Sequence, residues 1–297
     1  MTHLSSPNPP LELVELAKTI ESEIRSCLEG IELPDNLKDA AAYAVMNGGK
    51  RVRPALTLLC CQAICGSRKK AMPAAIAVEF IHCFSLVHDD LPAIDDDDLR
   101  RGKPTLHIKS GEAMAVLAGD LLLPLAFSQL IRDQFSADQQ ARLTKALATA
   151  TSEMVIGQVY DTLGGFPDHL TTTQQLEEMH RNKTGALIQC ACEMGAICAD
   201  ASEDAFHAIS SFGRAVGLMF QIVDDLIDLH GSPEHVGKAT GKDAGAGKMT
   251  YPGTIGVEES KVVVQELQLQ AETALSALGT NAETLVSFNL WMARRTR

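Results

Sequence analysis

The sequence predicts an all-α bundle of about ten helices, and three observations carry that prediction. Alanine and leucine abound along the 297 residues. Val, Ile and Thr never build a sustained alternating pattern. Aromatic residues make up only 4% of the chain, so strands, which draw on β-branched and aromatic side chains, find little support.

The helices can be placed in order from their start and stop signals. Pro54 can open one that runs to Gly66, and Pro73 another that runs into an aspartate cluster at Asp89. A proline in the first helical turn loses nothing by lacking an N–H there. Pro92 then stops the second helix. Ser136 with Gln139, and Thr172 with Gln175, have capping-box spacing ahead of further helical stretches. Polar loops, Gly164 to Thr172 and Gly231 to Gly247, separate the later segments. No composition shift, internal repeat or low-complexity linker marks a boundary, so residues 1–297 are expected to form a single domain.

Composition excludes several classes. The longest apolar stretch, Ala113 to Phe127, is interrupted by Asp120 and Pro124 and falls short of the roughly 20 residues of a membrane span. The N-terminal MTHLSSPNPP lacks a basic and an apolar region, so a soluble, cytoplasmic protein is expected. A net charge of −12 disfavours nucleic acid as a partner. None of the eight cysteines forms a CxxC pair. Cys60, Cys61, Cys65, Cys190, Cys192 and Cys198 lie in apolar, alanine-rich surroundings and are expected to be buried reduced thiols.

Two acidic clusters dominate the chemistry. Six aspartates fall within the ten residues Asp89 to Asp98, and Asp224-Asp225-Leu226-Ile227-Asp228 follows far downstream. Carboxylates at about 4 Å repel by on the order of 4 kcal/mol at an effective dielectric of about 20, so clusters gathered by folding call for a cation. Hard divalent ions such as Mg2+ supply it through oxygen ligands. Asp224 and Asp228 share a helical face with Gln221, among apolar neighbours. An EF-hand is excluded at the first cluster. Counting from Asp95, the fifth position is Leu99, the sixth Arg100 instead of glycine, and the twelfth Leu106 instead of glutamate.

Cations accompany the acids and point to a polyanionic ligand. Arg100 and Arg101 follow the first cluster, and Gly48-Gly49-Lys50-Arg51-Val52-Arg53-Pro54 sets three cations at a glycine turn entering a helix. Lys183-Thr184-Gly185 and the loop carrying Lys238 and Lys248 add more. A Walker A reading of that loop fails for want of the spaced glycine and of Ser or Thr after lysine. A lid whose lysines reach phosphate on closure suits it better.

These segments resemble the trans-isoprenyl diphosphate synthases, most closely the bacterial farnesyl diphosphate synthases. DDLPAIDDDDLRRGKPTLH resembles the first aspartate-rich motif with its arginine pair, and QIVDDLID the second. GGKRVRP, HRNKTGALI and GKATGKDAGAGKMTYP are similar to three further family segments, so the match runs from about Leu11 to Tyr251.

The resemblance implies a homodimer of the isoprenoid synthase fold, with the two motifs facing each other across a central cavity. It implies three Mg2+ ions, two held by Asp89 and Asp95 and the third by Asp224, with Asp90, Asp225 and Asp228 in support. Arg100, Lys183, Thr184, Gln221, Lys238 and Lys248 would contact the allylic diphosphate. Lys50, Arg53, His82 and Arg101 would bind the diphosphate of isopentenyl diphosphate. Gly157-Gln158 with Asp161 resembles another cavity-facing helix of the family, for which a structural role stays equally open. The implied reaction is ionisation, condensation and elimination, with Asp89, Asp95, Lys183 and Asp224 as its catalytic groups.

Product length should follow from what blocks the tail below the first motif. In the short-chain bacterial members that the chain resembles, the position five residues before the first aspartate is aromatic. Phe84 stands there and two extra residues lie inside DDLPAID, so the resemblance implies the fifteen-carbon farnesyl product, with geranylgeranyl diphosphate as the alternative. On an ideal helix Ser85 and Ile81 lie directly beneath Asp89 and Phe84 is offset, so several side chains could share the floor. The second DDxxD and the Lys50, Arg53, His82 pocket disfavour a terpene cyclase, and intact aspartates disfavour a non-catalytic synthase subunit. The family pattern fades after Pro252, where FNLWMARRTR carries the chain's one tryptophan.

Overall fold

The computed structural model describes residues 9–230 and 249–295. It is helical almost throughout. The helices are α1 (Leu11–Glu29), α2 (Asp35–Met46), α3 (Val52–Cys65), α4 (Met72–Asp89), α5 (Leu106–Ser110), α6 (Glu112–Ser128), α7 (Ala137–Leu163), α8 (Thr172–His180), α9 (Ala186–Cys198), α10 (Glu203–His230), α11 (Tyr251–Ile255), α12 (Val257–Ser276) and α13 (Glu283–Arg294). The strands among the described residues are β1 (Leu99–Arg100) and β2 (Lys103–Pro104), paired antiparallel with Leu99 opposite Pro104.

The centre of the bundle is built from α3, α4, α9 and α10. Nearly every residue of α9 is buried, as a helix apolar on all sides requires. It packs on α3, α7 and α10, while α4 packs on α6 and α10 on α12. Lys69–Asp89 is long and apolar enough to cross a membrane, at a mean hydropathy of 1.4, but 61% of that window is buried in the bundle. Its apolarity is the apolarity of a core helix.

Helix starts depart from expectation in two places. Thr171, not Thr172, caps α8, accepting from the Gln174 N–H while the Gln174 side chain accepts from the Thr171 N–H. The helix α3 starts at Val52, with Arg51 in a left-handed conformation before it and Pro54 still within the first turn. The Ser136–Gln139 box at α7 is present as expected.

Two burial expectations also fail. Cys65 is exposed at the end of α3. The run Asp96 to Asp98 is expected from its charge to form a solvated rim, but Asp97 is buried, its backbone N–H donating to the Asp90 carbonyl.

Candidate active site

The first motif is a loop folded back on the end of α4. The Asp95 N–H donates to the Asp89 carbonyl at 2.9 Å, and Ile94 and Asp96 both donate to the Leu91 carbonyl. The seven residues from Asp89 to Asp95 therefore close on themselves and hold Asp95 beside the helix end. Burial pushes the Asp89 carboxyl up to about 6, against the pull of Lys183. A carboxyl so placed gains from a cation, and its hard oxygen donors suit Mg2+. Asp90 is already satisfied: Arg100 Nε reaches its two oxygens at 2.9 and 2.8 Å, and Nη2 reaches one at 2.6 Å. In this arrangement Arg100 serves Asp90, and a phosphate would have to share it.

The second motif lies on α10, and its aspartates have different surroundings. Burial raises the Asp224 carboxyl, and the Arg295 guanidinium opposes that shift from 2.6 Å. Asp225 is buried and anchors three elements. It accepts the Tyr251 N–H of α11 at 2.9 Å and the Gln221 side-chain amide at 3.2 Å, and His180 Nε2 of α8 stands 3.3 Å away. Asp228 is half-buried one turn beyond Asp224. Among the described residues no three carboxylate, imidazole or thiol groups converge closely enough to hold a metal.

Lys183 and Thr184 sit on a π-helical turn, Arg181–Gly185, inserted between α8 and α9. Such turns redirect side chains and are frequent at functional sites. Lys183 Nζ pairs with Asp161 Oδ2 of α7 at 2.5 Å, and the Thr184 hydroxyl donates to Gln221 Oε1 at 3.0 Å. The turn can lie against α7 because position 157 is glycine, where a Cβ would overlap the Lys183 backbone. Gly157 thus has a packing role, Asp161 holds Lys183, and Gln158 lines the cavity described below.

The basic corner joins α3, α4 and the β-hairpin. Arg53 Nη1 is 3.4 Å from His82 Nε2, and Arg53 Nε is buried without a partner. Burial and the surrounding arginines 53, 101, 100 and 51 hold His82 well below its ordinary value, so its imidazole is neutral. Burial lowers Arg53 and Arg101 as well. Crowded, desolvated cations of this kind are stabilised by an anion. Arg101 donates to the Gly48 carbonyl, which ties the hairpin to the glycine turn. Lys50 lies over the Trp291 ring at 5.8 Å. Arg51 is not part of the corner. It is buried against Glu79 at 2.6 Å and Glu21 at 3.2 Å, and it donates to the Val45 carbonyl.

Some of these groups line a cavity of about 380 Å³, whereas Asp95, Gln221 and the aspartates of the second motif are not part of its lining. Arg53, His82, Asp89, Lys183 and Thr184 are among its charged and polar lining, and Phe84, Ile94, Met154, Val155, Val159 and Leu163 among its apolar lining. Ser85 lines it too, but Ile81 is fully buried in the core and does not. Lys238 and Lys248 lie outside the described residues. Sequence reasoning missed Arg295, Trp291, His180 and Tyr251, although the basic, tryptophan-bearing ending was a visible signal for the first two.

The family model for Polyprenyl synthetase matches residues 34–280. The chain is 40% identical over 287 residues to geranylgeranyl pyrophosphate synthase 4 of Arabidopsis thaliana, covering 95% of this chain and 77% of that one. It is 42% identical over 254 residues to farnesyl diphosphate synthase of Bacillus subtilis (strain 168), covering 84% and 85%. The structure superposes on a geranyltransferase from Legionella pneumophila with a TM-score of 0.83 at 31% identity, over 95% of each chain. An FPP/GFPP synthase from Zymomonas mobilis gives 0.82 at 34% identity, over 95% of this chain and 99% of that one. The all-α bundle is the isoprenoid synthase fold. With its family model, its fold and a cavity lined by both charged and apolar side chains, the chain belongs to the polyprenyl synthetases, the trans-prenyl diphosphate synthases.

Proposed function

We propose that the protein condenses isopentenyl diphosphate with dimethylallyl or geranyl diphosphate, head to tail, and releases (2E,6E)-farnesyl diphosphate. The observation that carries this reading is the cavity, which Arg53, Asp89 and Lys183 line together with Phe84 and other apolar side chains. An amphiphile with a diphosphate head and a prenyl tail suits such a mixed lining.

Arg53, neutral His82, Arg101 and Lys50 receive the diphosphate of isopentenyl diphosphate. Arg100, Lys183, Thr184 and Gln221 face the allylic diphosphate. Asp89, Asp95 and Asp224 would hold Mg2+, three ions in all, with Asp90, Asp225 and Asp228 in support. When bound, Mg2+ neutralises charge that builds on the departing diphosphate. The allylic C–O bond breaks with its electron pair leaving on diphosphate, the alkene of isopentenyl diphosphate supplies the pair for the new C–C bond, and a proton passes to the departed diphosphate. Lys183 and Gln221 steady the allylic cation and its leaving group. The apolar lining favours the hydrocarbon tail over water.

A homodimer fits the surface. Val116 and Leu117 of α6, with Val155, Ile156, Val159 and Leu163 of α7, leave large apolar side chains exposed. A terpene cyclase has no use for the second diphosphate corner at Arg53 and Arg101. A geranylgeranyl product is the second reading, favoured by the similarity to a plant geranylgeranyl pyrophosphate synthase. Incubation of the purified protein with isopentenyl and dimethylallyl diphosphates plus Mg2+, followed by product analysis, tests the proposal. A fifteen-carbon diphosphate supports it, a twenty-carbon one selects the second reading, and no chain growth rejects both.

A further inference from the structure

Phe84 does not stand alone in the cavity wall. His88, one turn further along α4, shares its face, and the two rings meet edge to face with centroids 5.1 Å apart at 79°. Both rings line the cavity. The imidazole reaches across to α6, where Nε2 lies 3.2 Å from the Val116 carbonyl oxygen and 3.9 Å from Asp120 Oδ1. With the proton on Nε2 the ring donates to the Val116 carbonyl, and Asp120 stands beyond hydrogen-bond reach. The ring fits there because position 119 is glycine: a Cβ at Gly119 would overlap Nε2 and Cδ2 of His88. A helix-interior glycine is unfavourable relative to alanine, so its presence here goes with the space that it leaves.

We infer that His88 is a positioning residue for product length: seated in the notch that Gly119 opens in α6, its ring braces Phe84 and sets how far a hydrocarbon tail can run along the cavity. The inference rests on the prenyl transfer proposed above. The α4 backbone leaves Phe84 more than one staggered alternative at χ1 and does not by itself select between them. His88 does so by filling the space beside the phenyl ring while being held from α6. Two changes in the notch then act in opposite directions. Removal of the imidazole frees Phe84 to turn aside, and the tail gains room. A methyl group at position 119 expels the imidazole from the notch toward Phe84 and the cavity, and the tail loses room.

The experiment measures chain lengths made from isopentenyl and geranyl diphosphates with Mg2+ by wild-type protein, His88→Ala, His88→Gln and Gly119→Ala. The ratio of longer to shorter product rises several-fold in both His88 variants, since glutamine keeps the donor to Val116 but not the ring, and it falls in Gly119→Ala. General destabilisation would lower rates without moving the ratio in opposite senses. Calorimetry of farnesyl against geranylgeranyl diphosphate provides a readout without turnover: His88→Ala gains affinity for the longer ligand relative to the shorter. That comparison decides the matter if Gly119→Ala does not fold. Transfer by the wild type with unshifted variants, or shifts of one sign in all of them, overturns the inference alone. No transfer by the wild type overturns the proposed function with it.

Discussion

Arg295, near the end of the chain, closes an ion pair of 2.6 Å on Asp224 of the second acidic motif. The guanidinium also donates to the Phe220 carbonyl at 3.0 Å and lies over the Phe220 ring at 4.2 Å. The arginine side chain is 4% exposed and the carboxylate 34%, so solvent screens one side of the pair and its net worth is modest. Its placement matters more than its strength, because the proposal asks Asp224 to hold a metal ion. Removal of Arg295 leaves a half-buried carboxylate without this partner. Arg295→Ala should lower the melting temperature in the absence of Mg2+, by an amount corresponding to about 1–2 kcal/mol. Mg2+ with inorganic diphosphate should close most of that gap. Thermal unfolding with and without both additions checks it, and an equal deficit in the two conditions would refute the competition.

Asp225 should behave as a scaffold residue more than as a ligand. Its carboxylate accepts from Tyr251 N–H and Gln221 and faces His180, which joins α8, α10 and α11. Asp225→Ala strands a backbone N–H of a buried residue and should cost about 2 kcal/mol. A urea titration reads the loss as a lower midpoint at unchanged slope. A midpoint equal to wild type would assign Asp225 no structural part.

Gly157→Ala sets two effects against each other. Alanine in a helix interior gains about 1 kcal/mol over glycine, but the new methyl overlaps the Lys183 backbone, and overpacking costs about 1–3 kcal/mol. The overlap is with main chain, which cannot step aside as a flexible side chain can, so the cost prevails. The variant should be less stable, and the KM for the allylic diphosphate should rise as the Lys183–Asp161 pair moves. Chemical denaturation and steady-state kinetics provide the two readings. A more stable variant with unchanged KM would show that the π turn accommodates the methyl group.

Local signals in the sequence were read well and distant ones were not. Pro73, Pro92 and the Ser136–Gln139 box act on their own neighbours, and the structure has the helix ends where they predict. The start of α8 was displaced by one because Thr171, Thr172 and Thr173 precede Gln174 and Gln175, so two pairs share the same spacing. Arg51 read as one cation of three. Its partners Glu79 and Glu21 are 28 and 30 residues away, and nothing local distinguishes it from Arg53. Arg295 pairs across 71 residues, beyond any periodicity argument. Asp97 was misread for a similar reason, since the fold of the loop from Asp89 decides which aspartate turns inward. Phe84 and Ser85 were placed in the cavity wall by their position before Asp89, and both line it, whereas Ile81, on the same ideal face, is taken up by the core.

The central claim, a cavity of mixed lining in which Phe84 of α4 stops the growing tail, is tested most directly by the product of Phe84→Ala. With isopentenyl and geranyl diphosphates and Mg2+, wild-type protein should release mainly the fifteen-carbon diphosphate. The variant, with its phenyl ring gone from the wall, should shift to twenty carbons or more. An unchanged product distribution from an active Phe84→Ala protein would contradict the account.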